Sequence, residues 1–195
     1  MGTLGLERAS LAGISLGGAV ALGLALSRPE QVERLVLVDS YGLGNKIPYG
    51  ALGYLLVHMP WLNDLTWKLL ARSRSMVRKT LEQFVARGEA ITDDMVDEMY
   101  AVIQQPGIAA AWRSFQRHET QWLHLRTDYT PRLAEVRAPT LIVHGAGDTL
   151  VPLAWAERAQ RLIPDAHLSV LPGAKHWPPR EQPEVFNRLL IEFLS

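Results

Sequence analysis

The sequence predicts an α/β fold, a parallel sheet flanked by helices and carrying an inserted helical block. Three observations predict it. Short apolar, β-rich runs alternate with helical segments, as parallel strands do when helices carry the crossovers. A glycine-rich turn joins the first run directly to its helix. Between the second run and the third, from about Ala51 to Tyr129, there are no convincing strands.

The elements follow in order. Arg8 to Gly13 is mostly apolar, stops at glycine and reads as a buried strand. Gly17 to Leu26 is rich in small residues and reads as a helix packed closely on a sheet, with Pro29 after its end. Val32 to Asp39, VERLVLVD, is a second strand. Ser40 to Gly50 carries Gly42, Gly44, Asn45, Pro48 and Gly50, a loop by composition. Leu65 to Arg87 is helical by spacing. Thr92 is placed to cap the next helix, with Asp93 and Asp94 favouring its dipole. Met95, Val96, Met99, Tyr100 and Ile103 give that helix an apolar face, and Pro106 closes it. Ile108 to about Leu125 is a further amphipathic helix. Pro139 to His144 is a third strand, ending in Gly145-Ala-Gly-Asp148. Leu153 to Ile163 is helical, His167 to Leu171 is a fourth strand, and Pro183 opens a last helix with Val185, Leu189 and Phe193 on one face.

The expected organisation is a core from residues 1–43 and 130–195, with residues 44–129 inserted. The insertion leaves from the carboxyl end of the second strand. In open parallel sheets that is the edge where ligands bind.

Composition excludes several classes. Lys plus Arg and Asp plus Glu both number 20, so no nucleic-acid or anionic-membrane partner is expected from bulk charge. With no cysteine there is no disulfide, thiolate metal site or cysteine nucleophile. Hydrophobic content of 48% argues against disorder. The first residues do not read as a signal peptide, and no apolar run reaches membrane-span length, so a cytoplasmic protein is expected. No cofactor motif is present. His144 and Asp148 lack further nearby ligands, so no metal site is expected.

The chemistry centres on Leu11-Ala-Gly-Ile-Ser-Leu-Gly-Gly-Ala19, which contains Gly-x-Ser-x-Gly at Gly13, Ser15 and Gly17. It stands at the end of an expected strand and opens an expected helix, the context such a nucleophile turn requires. Side chains at positions 13 and 17 are expected to collide with backbone, and Gly18 to permit close helix packing. The turn puts the Leu16 amide at a helix N-terminus, where it can donate to a developing oxyanion.

A serine hydroxyl needs a general base, and the base benefits from a carboxylate. Of six histidines, His58, His118 and His124 lie in the insertion, and His144 and His167 lie in strands. His176 follows the last strand in a loop on the carboxyl edge and is the candidate base. Asp148 lies just past the third strand on the same edge and is the candidate acid. Asp39, at the end of the second strand, is the alternative acid; it is read instead as a turn residue capping that strand. The order Ser15, Asp148, His176 is the one expected for this architecture.

On these residues the chain resembles the α/β-hydrolase superfamily, over essentially its whole length. AGISLGGAVAL matches the nucleophile elbow, APTLIVHGAGDTLVP the acid strand and loop, and PGAKHWPPREQPEVFNRLLIEFL the histidine loop and final helix. The resemblance implies Ser15 as nucleophile, Asp148 as acid, His176 as base and the Leu16 amide as half of the oxyanion hole. It makes the insertion a helical cap that shapes the substrate pocket. Gly42-Leu-Gly44, His176-Trp177 and Phe186-Asn-Arg-Leu189 are similar to carbon–carbon bond hydrolases that cleave meta-ring-fission products, and mark Gly42 and Trp177 as substrate-binding positions. Lys175 departs from the family, which usually has glycine before its histidine; it is read as pointing to water.

The resemblance also makes the strands here the fifth to eighth of an eight-stranded sheet. The first four strands and the second oxyanion donor then have no counterpart in the chain. The expectation is a fragment of a longer or two-chain enzyme, with Met1 to Glu7 the end of the helix leading into the first strand, and a partner chain as one source of the other strands. The expected reaction is hydrolysis of a small apolar ester or a carbon–carbon bond through an acyl-enzyme. A non-catalytic binding module and an inactive fragment are the alternatives. Trp61, Trp67, Trp112 and Trp122 suit a pocket wall but are read as core. Arg72, Arg74, Arg78 and Lys79 are read as a solvated helix face rather than an anion site.

Overall fold

The structure is a computed structural model that describes residues 5–46 and 50–195. In chain order its elements are β1 (Ala9–Ile14), α1 (Leu16–Ser27), β2 (Val32–Val38), α2 (Gly50–His58), α3 (Pro60–Leu70), α4 (Arg74–Leu81), α5 (Asp93–Gln104) and α6 (Ile108–Glu119). There follow β3 (Thr120–Gln121), β4 (His124–Leu125), β5 (Thr140–Gly145), α7 (Leu153–Leu162), β6 (Ala166–Leu171), α8 (Pro178–Glu181) and α9 (Pro183–Leu194). The chain divides into two compact units: Met1–Gly44 with Asp128–Ser195, and Asn45–Thr127.

The first unit holds a four-stranded parallel sheet in the order β1-β2-β5-β6. Spatial order equals chain order, so each strand is added beside the last. The two central strands carry the β-branched runs. Every residue of β5 is buried, and so are Leu35 to Val38 of β2. Alternation then divides the side chains between two faces. Val36, Val38, Leu141, Val143 and Leu171 form a core with Phe186 of α9. On the other face α1 packs on β1 and β2, and α7 packs on β5 and β6. Leu22 and Ala25 of α1 and Ala156 and Ala159 of α7 are fully or almost fully buried. The small alanines among them let the helices approach the sheet.

The first strand differs from its expectation. β1 is an edge strand, and none of its residues is fully buried. Among the described residues it pairs with β2 alone. Its apolar composition reads as buried because pattern reports side-chain character, not whether a neighbour is present. Gly5 to Arg8 form turn and irregular backbone rather than a helix end; Met1 to Leu4 lie outside the described residues, as does Pro48 of the expected loop.

The second unit is helical but not strand-free. Thr120–Gln121 and His124–Leu125 pair as a short antiparallel hairpin, with Leu123 at φ 61° in its turn. The expected helix from Ile108 to about Leu125 therefore ends at Glu119. That residue is buried, and its carboxylate accepts from the Thr127 amide and hydroxyl. The expected helix from Leu65 to Arg87 is broken as well. α3 stops at Leu70, and Ser73 starts α4 by accepting from the Met76 amide at 3.3 Å. Local capping outcompetes a continuous helical spacing there. Thr92 caps α5 as expected, accepting from the Met95 amide at 3.2 Å.

Two side-chain readings resolve within this unit. Arg74 pairs with Asp97 at 2.7 Å and Arg78 with Asp93 at 2.6 Å, so the basic cluster is a helix face tied by exposed ion pairs. Trp61, Trp112 and Trp122 are not core: they are 62%, 45% and 59% exposed. Trp67 and Trp112 line a groove of about 340 Å³ with Leu56, Val57, Leu62 and Leu70.

Candidate active site

Three of the loops at the carboxyl edge of the first unit's sheet carry the expected catalytic residues. The first is the turn from β1 into α1. Ser15 has φ 51° and ψ −120°, a region non-glycine residues rarely adopt. The turn is pinned from both sides. The Ser15 amide donates to the Val38 carbonyl at 2.9 Å, and its carbonyl accepts from Gly18 and Tyr41, each at 3.0 Å. A Cβ at Gly13 would collide with the Gly17 backbone, so that glycine is required by close approach. Gly17 corrects its expectation: a Cβ there would meet nothing within 4 Å. The sharp turn brings Gly17 backbone over Gly13, not the reverse. Leu16 opens α1, so its amide is among the first four that lack an intrahelical acceptor.

The second loop follows β5. Asp148 Oδ1 accepts from the Leu150 amide at 2.7 Å and the Val151 amide at 3.1 Å. The third follows β6 and carries His176, which is buried. His176 Nδ1 and Asp148 Oδ2 are 2.8 Å apart. The two loops lie so close that a Cβ on Gly145 would collide with the Lys175 carbonyl. The Gly147 amide also donates to the Ala174 carbonyl at 2.9 Å. The Lys175 amide donates to Glu181 Oε1 at 2.7 Å, tying the histidine loop to α8.

Of the remaining sequence candidates, Trp177 lines a small hollow of about 180 Å³ with Ile14, Pro179 and Arg180. Ile14 precedes Ser15 and Trp177 follows His176, so one hollow borders both loops. Gly42 is buried with φ 87°, and its carbonyl accepts from the Tyr129 amide at 2.8 Å. A Cβ there would press on the Tyr129 ring at 3.0 Å. Backbone conformation and packing both account for that glycine.

Sequence reasoning set Asp39 aside as the alternative acid. Read from sequence as a turn residue capping its strand, it is fully buried, with φ 40°. Its Oδ1 accepts from the Gly145 amide at 3.0 Å and lies 3.5 Å from His144 Nδ1. His144 is fully buried too, and its Nε2 donates to the Val151 carbonyl at 3.1 Å. The available signal was an acid closing the apolar run Leu35 to Val38 on the edge that carries the other candidates.

Burial pushes the Asp39 carboxyl up to about 9; the Gly145 amide opposes this, while the nearby Asp148 and Glu181 carboxylates add to it. Burial pushes Asp148 upward as well, but the His176 hydrogen bond and charge and two backbone amides outweigh it and hold that carboxyl below its ordinary value. Burial lowers His144 from the usual imidazole range, against the opposing pull of Asp148. One donor atom each from Asp39, Asp148 and His176 lies within 4.8 Å of the others, a spacing that also suits a metal ion. Asp148 and His176 already spend an oxygen and a ring nitrogen on each other, so the set is read here as a proton-handling one.

Residues 2–189 match the family described as the alpha/beta hydrolase family. The chain belongs to that family. Among curated alpha/beta hydrolases, the chain is similar to a 2-hydroxy-6-oxononadienedioate/2-hydroxy-6-oxononatrienedioate hydrolase of Comamonas testosteroni, with 34% identity over 197 residues, 100% of this chain and 65% of that protein. It is also similar to a 2-hydroxy-6-oxo-6-phenylhexa-2,4-dienoate hydrolase of Burkholderia cepacia, with 32% identity over 200 residues, 100% of this chain and 65% of that protein. The chain thus spans about 65% of the length of these curated relatives. Among solved structures it resembles a meta-cleavage product hydrolase from Pseudomonas fluorescens IP01, with a TM-score of 0.79 and 29% identity, covering 100% of this chain and 67% of that one.

Proposed function

We propose that this chain carries the catalytic residues of a serine hydrolase that cleaves a carbon–carbon bond in a 2-hydroxy-6-oxo-dienoate. The observation that carries the reading is the 2.8 Å contact between His176 Nδ1 and Asp148 Oδ2, on the sheet edge that also bears the strained Ser15 turn. The names of the similar proteins supply the substrate class.

The reaction follows from those parts. Asp148 accepts Nδ1–H and so leaves Nε2 of His176 as the free base. His176 takes the Ser15 proton as Oγ bonds to the substrate carbonyl carbon. The Leu16 amide donates to the oxygen that gains charge. The carbon–carbon bond breaks, and the leaving carbon takes the proton from His176. Water, deprotonated by His176, then releases the acid and restores Ser15. The net change is one water consumed, one carboxylic acid formed and one C–H bond formed.

The inserted helical unit is the cap in this reading, with Trp177 and Gly42 in the substrate site. The edge of β1 that no described strand pairs is a place where further strands join, from another segment or a partner chain, bringing a second oxyanion donor. A cytoplasmic location belongs to the same reading. No described helix is long and apolar enough to cross a membrane.

A fluorophosphonate probe tests the assignment. Labelling at Ser15 that disappears in Ser15→Ala and His176→Ala supports it. No labelling of well-folded protein would favour a non-catalytic binding module. Supplying a 2-hydroxy-6-oxo-dienoate and a nitrophenyl ester side by side then separates carbon–carbon cleavage from simple esterase activity.

A further inference from the structure

We propose that Asp39 is a neutral carboxylic acid that donates a hydrogen bond to Asp148, and so acts as a positioning residue for the acid that orients His176. This rests on the serine hydrolase reading above.

The geometry comes first. Asp39 is tied to β5 by its own amide, which donates to the Val143 carbonyl at 3.0 Å, and by Oδ1, which accepts from the Gly145 amide at 3.0 Å. Oδ2 is buried and, among the described residues, no donor reaches it. An ionised carboxylate would leave that oxygen charged and unsatisfied, a costly state in a buried site. A carboxylic acid turns the same atom into a donor. The acceptor is nearby: one oxygen of Asp39 and one of Asp148 lie within 4.8 Å of each other, and a hydrogen bond between the two carboxyl groups would satisfy Oδ2. Two carboxyl groups make such a bond only if one proton lies between them.

The partition of charge follows from the donors. Asp148 receives hydrogen bonds from His176, Leu150 and Val151, whereas Asp39 receives one from Gly145. The negative charge therefore stays on Asp148 and the proton on Asp39. The groups facing Asp39 do not reverse this. They are His144 on β5, Asp148 on the loop after β5, His176 on the loop after β6 and Glu181 on α8. His144 lies 3.5 Å away, but burial favours its uncharged form. The two carboxylates add negative charge, which favours the protonated acid.

One proton thus gives Asp148 a second side-chain tie beside its bond to His176. Losing it at alkaline pH places two carboxylates against each other, and their repulsion drives Asp148 away from His176.

Infrared spectroscopy of the whole chain with carboxyl-labelled aspartate reads the protonation state without needing activity. Expected is a protonated-carboxyl carbonyl band at neutral pH, lost in Asp39→Asn and lost in the wild type as pH rises. Absence of that band in the wild type, or its persistence in Asp39→Asn, overturns the proposal. The rate of Ser15 labelling by a fluorophosphonate should fall through an alkaline step in the wild type, and the step should vanish in Asp39→Asn. The same step in both proteins overturns the positioning role. If folded wild-type protein shows the band but takes no label, the hydrolase reading fails while the shared proton stands. Asp148→Asn provides a check that leaves Asp39 in place: removing the neighbouring charge should move the band's titration to lower pH, and an unmoved titration counts against the pairing.

Discussion

His176 Nδ1 lies 2.8 Å from Asp148 Oδ2, although the two residues sit on loops that follow different strands. Both side chains are buried, so the contact is shielded from competing water. It fixes which ring nitrogen carries the proton.

Asp148→Asn should therefore remove activity while leaving the loop largely intact. The asparagine oxygen can still accept from the Leu150 and Val151 amides, but its NH₂ cannot accept Nδ1–H. The imidazole then favours the other tautomer, with no lone pair on Nε2 to act as base. The rate of Ser15 labelling should fall roughly a thousand- to ten-thousand-fold. A fall of less than tenfold would exclude Asp148 as the orienting acid.

Asp39→Asn should stabilise the protein at alkaline pH. The Asp39 carboxyl is raised to about 9 by burial, so the folded state holds a proton that the unfolded chain releases near pH 4. Its contribution is fully present below the unfolded value and is lost as pH rises toward about 9. Asparagine does not titrate and carries no such loss. Thermal unfolding should show a gain on the order of a few kcal/mol near pH 8 that shrinks toward pH 4. A gain equal at both values would sink the assignment of a raised carboxyl.

Gly145→Ala should separate the acid and histidine loops. The added Cβ meets the Lys175 carbonyl, a backbone atom that no rotamer change can move. Overpacking of this kind costs about 1–3 kcal/mol. Chemical denaturation should report that loss, and Ser15 labelling should slow with it because Lys175 precedes His176.

The two glycines of the Ser15 turn should respond in opposite ways. Gly13→Ala forces its Cβ into Gly17 backbone and should destabilise the protein. Gly17→Ala adds a Cβ in open space within α1, where alanine exceeds glycine in helix propensity by up to about 1 kcal/mol. Its midpoint of unfolding should be unchanged or higher. Equal losses for both would mean the turn is not built as described.

Local sequence was enough for the alternation of strands and helices, the Ser15 turn, the Thr92 cap and the order Ser15, Asp148, His176. Each rests on periodicity or on a motif a few residues long, and such signals act over the same distance as the backbone forces they report. The break at Ser73 and the Thr120–Leu125 hairpin were hidden because capping and side-chain bonds there override a continuous helical pattern. The tryptophans of the second unit read as core by hydrophobicity, but exposure depends on what packs against them. Asp39, weighed only as an alternative acid, was the least legible residue of the site. Its sequence neighbours say only that a strand ends there. Its burial, its bond to Gly145 and its nearness to Asp148 arise from parts of the chain more than a hundred residues away. The residue types of the site were therefore written locally, while the charge each one carries was decided by the tertiary structure, because burial and the distance between carboxylates exist only once the strands are side by side.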